Sequence, residues 1–171
     1  MAMRNLVALA ALVASARATA ALEISSPEIA QGGRLGPAQV KSECGGQNIS
    51  PALSWRDAPA GTKSFAITMY DPDAKGGWWH WIVYDIPVGV GGLAAGVVPA
   101  GAKAGTNDFG AGGYGGACPP SGSGPHRYEI TVWALGSARL PIEGAKKGAI
   151  IGPYLSAHAL AHATLTGTYE R

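Results

Sequence analysis

The stretch YDPDAKGGWWHWIVYDIP, residues 70–87, decides how the rest of the chain is read. It joins two segments of period-two patterning. SFAITMY (64–70) sets Phe65, Ile67 and Met69 on one side, and HWIVYDI (80–86) sets Trp81, Val83 and Asp85 against His80, Ile82 and Tyr84. Alternation at period two is the pattern of a strand with two distinct faces. Between the segments Pro72, Gly76 and Gly77 turn the chain. The turn carries Asp71 and Asp73, and the second strand begins at His80. Those polar residues are therefore candidates for an acid pair, a metal site or a ligand pocket.

Working outward, RYEITVWAL (127–135) alternates Tyr128, Ile130, Val132 and Ala134 against Glu129, Thr131 and Trp133, and LTGTYER (165–171) reads as a closing strand. The Ala and Leu content of GPYLSAHALAHATL (152–165) predicts one helix, with Gly167 just past its end. Of the 26 glycines, 13 gather in two loop-rich stretches, 89–105 and 110–125, with four of the 12 prolines and with strand patterns on either side. Short β-rich runs between such turns predict an all-β fold, a sandwich or a barrel, with one core in residues 21–171.

Residues 1–20 have another character. Arg4 precedes the apolar run LVALAALVASA, and Ala18-Thr19-Ala20 is a small-x-small signal, the layout of a secretory signal peptide cleaved near Ala20. The run is short for a membrane span, and no transmembrane segment is expected in the mature chain. The whole chain has 13 basic and 11 acidic residues; Arg4 and Arg17 fall in the leader, leaving 11 against 11. A neutral chain without a basic stripe gives no reason to expect a nucleic-acid partner. Export, periplasmic or secreted, favours a disulfide between Cys44 and Cys118, the alternative being two buried thiols.

Enzymatic and metal chemistry find little support. The G-x-S-x-G elbow is absent, and Ser121 and Ser123 sit in a Gly-rich loop beside His126. Asp71, Asp73 and His80 resemble the start of a calcium loop, but Ile82 stands where its closing glutamate belongs. His158 and His162 have a zinc-like spacing without the H-E-x-x-H glutamate or an evident third ligand. Asp71 at the head of a turn has a structural alternative, bonding its own backbone. A pocket remains: His80 and His126 can each donate to an anion, while Trp78, Trp79, Tyr114 and Tyr128 offer apolar walls with polar tips. Aspartates repel an anion unless they orient the histidines or pair with Arg127, or unless the anion is bound partly protonated.

Asp71-Pro72-Asp73-Ala74, His80-Trp81, Cys118-Pro119-Pro120-Ser121-Gly122 and His126-Arg127-Tyr128 together resemble the signatures of the phosphatidylethanolamine-binding protein family, in its bacterial Raf-kinase-inhibitor-like branch. CGGQNISPALSW (44–55), GTKSFAITMYDPDA (61–74), GTNDFG (105–110), GYGGACPP (113–120) and the ending LTGTYER extend the resemblance over nearly all of residues 21–171. It implies an antiparallel β-sandwich with a few short peripheral helices and a small anion pocket at one end. Carried over by motif, the ligand-binding residues are Asp71, Asp73, His80, Pro119, Pro120, His126 and Tyr128. The histidines would donate to the anion and the aspartates would hold the histidines. Lys75 stands where the family usually has proline, at the pocket rim. No cofactor, metal or catalytic residue is implied. The expectation is a non-enzymatic binder of a small anion or phosphoryl-containing ligand. Its competitors are a modulator of a protein partner acting through the 88–125 loops, and a hydrolase using Asp73 and His80.

Overall fold

The computed structural model describes residues 21–142 and 146–171, so the expected signal segment lies outside it. The elements are β1 (Glu23–Ser25), β2 (Leu53–Arg56), β3 (Ser64–Asp71), β4 (Trp78–Pro87), β5 (Gly92–Leu93), β6 (Lys103–Ala104), β7 (His126–Leu135), α1 (Gly148–His158) and β8 (Ala159–Tyr169). They form two antiparallel sheets, β1-β2-β5 and β6-β4-β3-β7-β8. One core lies between the sheets. Phe65, Ile67, Met69, Trp81, Val83, Tyr128, Ile130, Val132 and Ala134 meet Leu53, Trp55 and Leu93 there. A second cluster, Ala66, Ile82, Tyr84, Leu135, Ile151 and Leu155, seals α1 onto the outer face of the large sheet. Both faces of β3 and β4 are thus covered, which is why their alternation is between two sets of apolar residues rather than apolar and polar ones.

Strand β4 departs from the expected alternation twice. Met69 pairs with Trp81 but Tyr70 pairs with Trp79, so β4 holds one extra residue, His80. Phe65 pairs with Ile86 and Ile67 with Val83, so β4 holds another near Asp85, whose φ is 57°. These are β-bulges, which re-aim side chains. The first sends Trp79 to the α1 side and Trp81 to the inter-sheet core, two residues apart yet on opposite faces. His80 accordingly does not share a face with Ile82 and Tyr84: it meets the ring of Tyr128, an inter-sheet residue, edge to face at 5.1 Å. The second bulge lets Ile86, not Asp85, fill the core beside Val83.

The expected helix 152–165 is half right. Helix α1 spans Gly148–His158, and Ala159–Tyr169 pairs along β7 from His126↔Tyr169 to Leu135↔Ala159. Pairing with the long, amphipathic β7 outweighs the helix propensity of Ala and Leu, a weak preference of a few tenths of a kcal/mol per residue. Gly167 is not a helix cap: a Cβ there would stand 2.4 Å from Leu35 Cδ2, so its job is close packing. His158 and His162 no longer share a helix face. His158 stacks on Tyr154, and His162 lies against Trp133 from β8. The helix itself sits on Trp79 through Gly148 and Gly152, where a Cβ would come within 2.2 and 2.1 Å of the indole.

Candidate functional site

The inward faces of β3 and β7 are apolar along their length and polar only at one end. Asp71 follows Phe65, Ile67 and Met69 in parity, and His126 precedes Tyr128, Ile130 and Val132. The register Tyr70↔Glu129, carried one residue on, sets Asp71 beside Tyr128. At this end of the inter-sheet core a cavity of about 470 Å³ opens, and all seven residues named from the motifs line it: Asp71, Asp73, His80, Pro119, Pro120, His126 and Tyr128. Lys75, Trp78, Phe109 and Ser123 complete the polar and aromatic part of its wall.

Both aspartates are bonded within the protein. Asp71 Oδ1 accepts the backbone N–H groups of Asp73 (2.9 Å) and Ala74 (3.0 Å), and its Oδ2 accepts from Nδ1 of His126 (2.7 Å). The turn reading and the histidine-holding reading of Asp71 are therefore both true. Asp73 holds no histidine. It accepts Arg127 Nε at 2.9 Å, Nη2 at 2.8 Å and the Arg127 backbone N–H at 2.8 Å, a two-pronged pair. The Arg127 guanidinium and its N–H hold the Asp73 carboxyl down to about 2. Packed this way, the two carboxylates beside the cavity have their oxygens turned to donors of the protein.

The two histidines are held differently. His126 is fixed by Asp71 and reaches Ser123 Oγ through Nε2 at 3.1 Å. His80, 3% exposed, donates Nδ1–H to the Gly115 carbonyl at 2.8 Å, and Gly115 N–H in turn donates to the His80 carbonyl at 2.8 Å. Not an aspartate but a loop carbonyl orients this ring, against the expectation from the motifs. Burial lowers its pKa below the usual histidine value, opposed in part by the Gly115 carbonyl and by Asp71. The ring of His80 meets Phe109 and Tyr128 edge-on at 5.4 and 5.1 Å.

The loop 110–125 is ordered by its glycines. A Cβ on Gly116 would fall 2.5 Å from Lys41 N and 2.6 Å from Gln39 O. Only glycine lets Ala117 pair with Val40 there, with Ala117 N–H to Gln39 O and Lys41 N–H to Ala117 O. Asn48 Oδ1 accepts Gly116 N–H at 2.7 Å, and Cys44–Cys118 is a disulfide joining the same two segments. Asn48 escaped notice in the sequence because its chemistry is local to the backbone of a distant loop. Two expected wall residues are elsewhere. Trp79 is under α1, and Tyr114 packs on Trp81 and donates to Gln39 O.

Two donors in the cavity wall have no partner among the described residues. Tyr128 Oη and Trp78 Nε1 are buried without a hydrogen bond. Burial, then the Asp71 charge, pushes the Tyr128 hydroxyl's pKa up, offset in part by the nearby Cys118 backbone, so it stays a donor. No cluster of three metal-ligating side chains occurs among the described residues.

The sequence model of the family "Phosphatidylethanolamine-binding protein" matches residues 25–170. The chain is 45% identical to YbcL of Escherichia coli K12, covering 95% of this chain and 94% of YbcL, and 40% identical to YbhB of the same organism, covering 87% and 100%. The crystal structure of E. coli YbcL, described as a new member of the mammalian PEBP family, superposes with a TM-score of 0.85 at 44% identity, covering 89% of this chain and 99% of that one.

Proposed function

Because the chain belongs to the phosphatidylethanolamine-binding protein family, we propose that it is an exported, non-enzymatic binding protein whose end cavity holds a small oxyanion or phosphoryl head group. The observation that carries this reading is the engagement of both aspartates by donors of the protein. With Asp71 bonded by His126 and two N–H groups, and Asp73 by Arg127, an anion meets donors rather than bare carboxylates. His126, the Tyr128 hydroxyl and the Trp78 indole N–H are the groups that would meet it, with Lys75 at the rim. The disulfide fits an oxidising compartment, periplasmic or extracellular.

Ser123, His126 and Asp71 form a line of 3.1 and 2.7 Å contacts with the order of a hydrolytic triad. The N–H groups of Gly122 and Ser123 that could stabilise an oxyanion are already given to Arg171 O and Pro120 O, and Ser123 Oγ itself stands 2.8 Å from Pro120 O. We therefore read Ser123 as a partner of His126 and not as a nucleophile. Isothermal titration with inorganic phosphate and phosphoethanolamine, on wild type and His126→Ala, tests the binding reading. Heats lost in the variant support it, and equal heats remove His126 from the site. Mass-spectrometric labelling of Ser123 by a fluorophosphonate would instead establish a hydrolase.

A further inference from the structure

The polar atoms facing the cavity are unequal in kind, and their sum specifies a proton on the ligand. Tyr128 Oη and Trp78 Nε1 are donors without a partner. His80 differs. A carbonyl only accepts, so the 2.8 Å contact to Gly115 O fixes the proton of a neutral ring on Nδ1. Nε2 is then a lone pair on a buried ring that lines the cavity; the Gly116 backbone also acts on the ring, and the one hydrogen bond of the ring among the described residues is that of Nδ1. The carboxylates that act on this ring do not touch it: Asp71 is spent on His126, and Asp108 Oδ2 accepts the Trp79 N–H. Burial between Phe109 and Tyr128 disfavours a second ring proton.

We propose that the cavity selects oxyanions that carry a proton, accepting that proton at Nε2 of His80 while Tyr128 and Trp78 donate to the unprotonated oxygens. This rests on the oxyanion reading above and narrows it. Inorganic phosphate keeps one P–OH throughout the neutral range and meets the requirement. Sulfate has nearly the same size and geometry but no proton, so its oxygen would face a lone pair. A phosphomonoester is protonated only below a pKa of about 6 and would bind better there than at pH 7.5. A diester would be excluded at neutral pH whatever its tail. An unsatisfied buried acceptor lowers affinity by about tenfold to a hundredfold.

Titration of the intact protein with phosphate and with sulfate at pH 7.5 tests this. Phosphate binding at least about tenfold tighter than sulfate supports the proposal. Equal affinity for the two overturns it and leaves the oxyanion site standing, and binding of neither overturns both. In His80→Gln a side-chain amide brings N–H donors to the position of Nε2, and the preference for phosphate over sulfate should collapse. A preference that survives in a folded His80→Gln variant sinks the idea. Nitrogen NMR of the wild-type imidazoles with phosphate bound reads the same point without a substitution. His80 protonated on Nδ1 alone supports the assignment, and a proton found on Nε2 refutes it.

Discussion

Strand β4 is bulged at both ends, and the two bulges bury a polar residue for opposite purposes. At one end Asp85 sits 5% exposed in the left-handed region, accepts Leu140 N–H at 2.8 Å through Oδ1 and faces Lys103 Nζ at 3.2 Å through Oδ2. Oδ1 is answered by a hydrogen bond and Oδ2, which has no hydrogen bond among the described residues, by the Lys103 charge alone. At the other end His80 is as deeply buried, yet its ring keeps one nitrogen unanswered, and the hydroxyl and indole N–H nearby are unanswered as well. A buried polar group normally finds its partner, since leaving it without one costs about 1–3 kcal/mol. The same backbone device therefore turns Asp85 to partners within the protein and sets His80 in the wall of the cavity.

The largest effect that would sharpen this contrast comes from the staple behind the His80 end. Replacing Cys44 and Cys118 together by serine releases a crosslink spanning 74 residues, which the chain-entropy account values at about 4 kcal/mol. Denaturant unfolding of the double variant should show a loss of that order. Phosphate affinity should fall with it, because Cys118 lines the cavity and its loop carries the Gly115 carbonyl. Unchanged affinity would detach the loop from the site.

Asp85→Ala should cost about 3 kcal/mol, leaving a buried N–H at Leu140 and a lost ion pair, with phosphate affinity unmoved. Tyr128→Phe is its counterpart. Removing a hydroxyl with no partner should leave the denaturation midpoint level or slightly higher, while phosphate binding weakens about tenfold. If Tyr128→Phe destabilises as Asp85→Ala does, the two ends of β4 are alike and the contrast fails.

Gly152→Ala probes the outer face, where no ligand is invoked. At an open helix position the change would gain about 1 kcal/mol. Here the new Cβ would stand 2.1 Å from the Trp79 ring, and overpacking of that kind costs about 1–3 kcal/mol, so a net loss is expected in thermal or denaturant unfolding.

Much of this was legible beforehand, for definite reasons. Strands β3, β4 and β7 announce themselves by period-two patterning, and the parity of Asp71 and of His126 with their strands places both at the inter-sheet end. The bulge at His80 leaves no trace in composition, because an extra residue shows only against a partner's register. Alternation alone therefore put His80 on the wrong face. The α1–β8 junction misled for the same reason: Ala159–Leu165 reads as helix until β7 is there to pair with it. The aspartates were expected to hold the histidines or to pair with Arg127, and each alternative holds for one of them, Asp71 on His126 and Asp73 on Arg127; the Gly115 carbonyl that takes His80 is fixed by tertiary approach rather than spacing.

The smallest effect separates the two kinds of titrating group at this end. Asp73, held down to about 2 by Arg127, contributes stability that is complete above its ordinary value of 3.8 and is lost as pH falls from there toward about 2. The pair is partly open to water, its side chains 30% and 56% exposed, so the contribution is modest and salt should reduce it. Asp73→Asn is then expected to flatten the acid limb of a stability–pH curve within that window and to change little at pH 7. His80 acts in a separate window. Its pKa is lowered in the folded state, so the unfolded chain takes up the proton first, and stability falls as pH drops below 6.5. On the proposed reading phosphate engages His80 and leaves the Asp73–Arg127 pair alone, so it should raise stability throughout the neutral range but not move the Asp73 window. A shift of that window on adding phosphate would mean that the ligand draws on Asp73 directly, and the division between a neutralised carboxylate and a receiving imidazole would have to be redrawn.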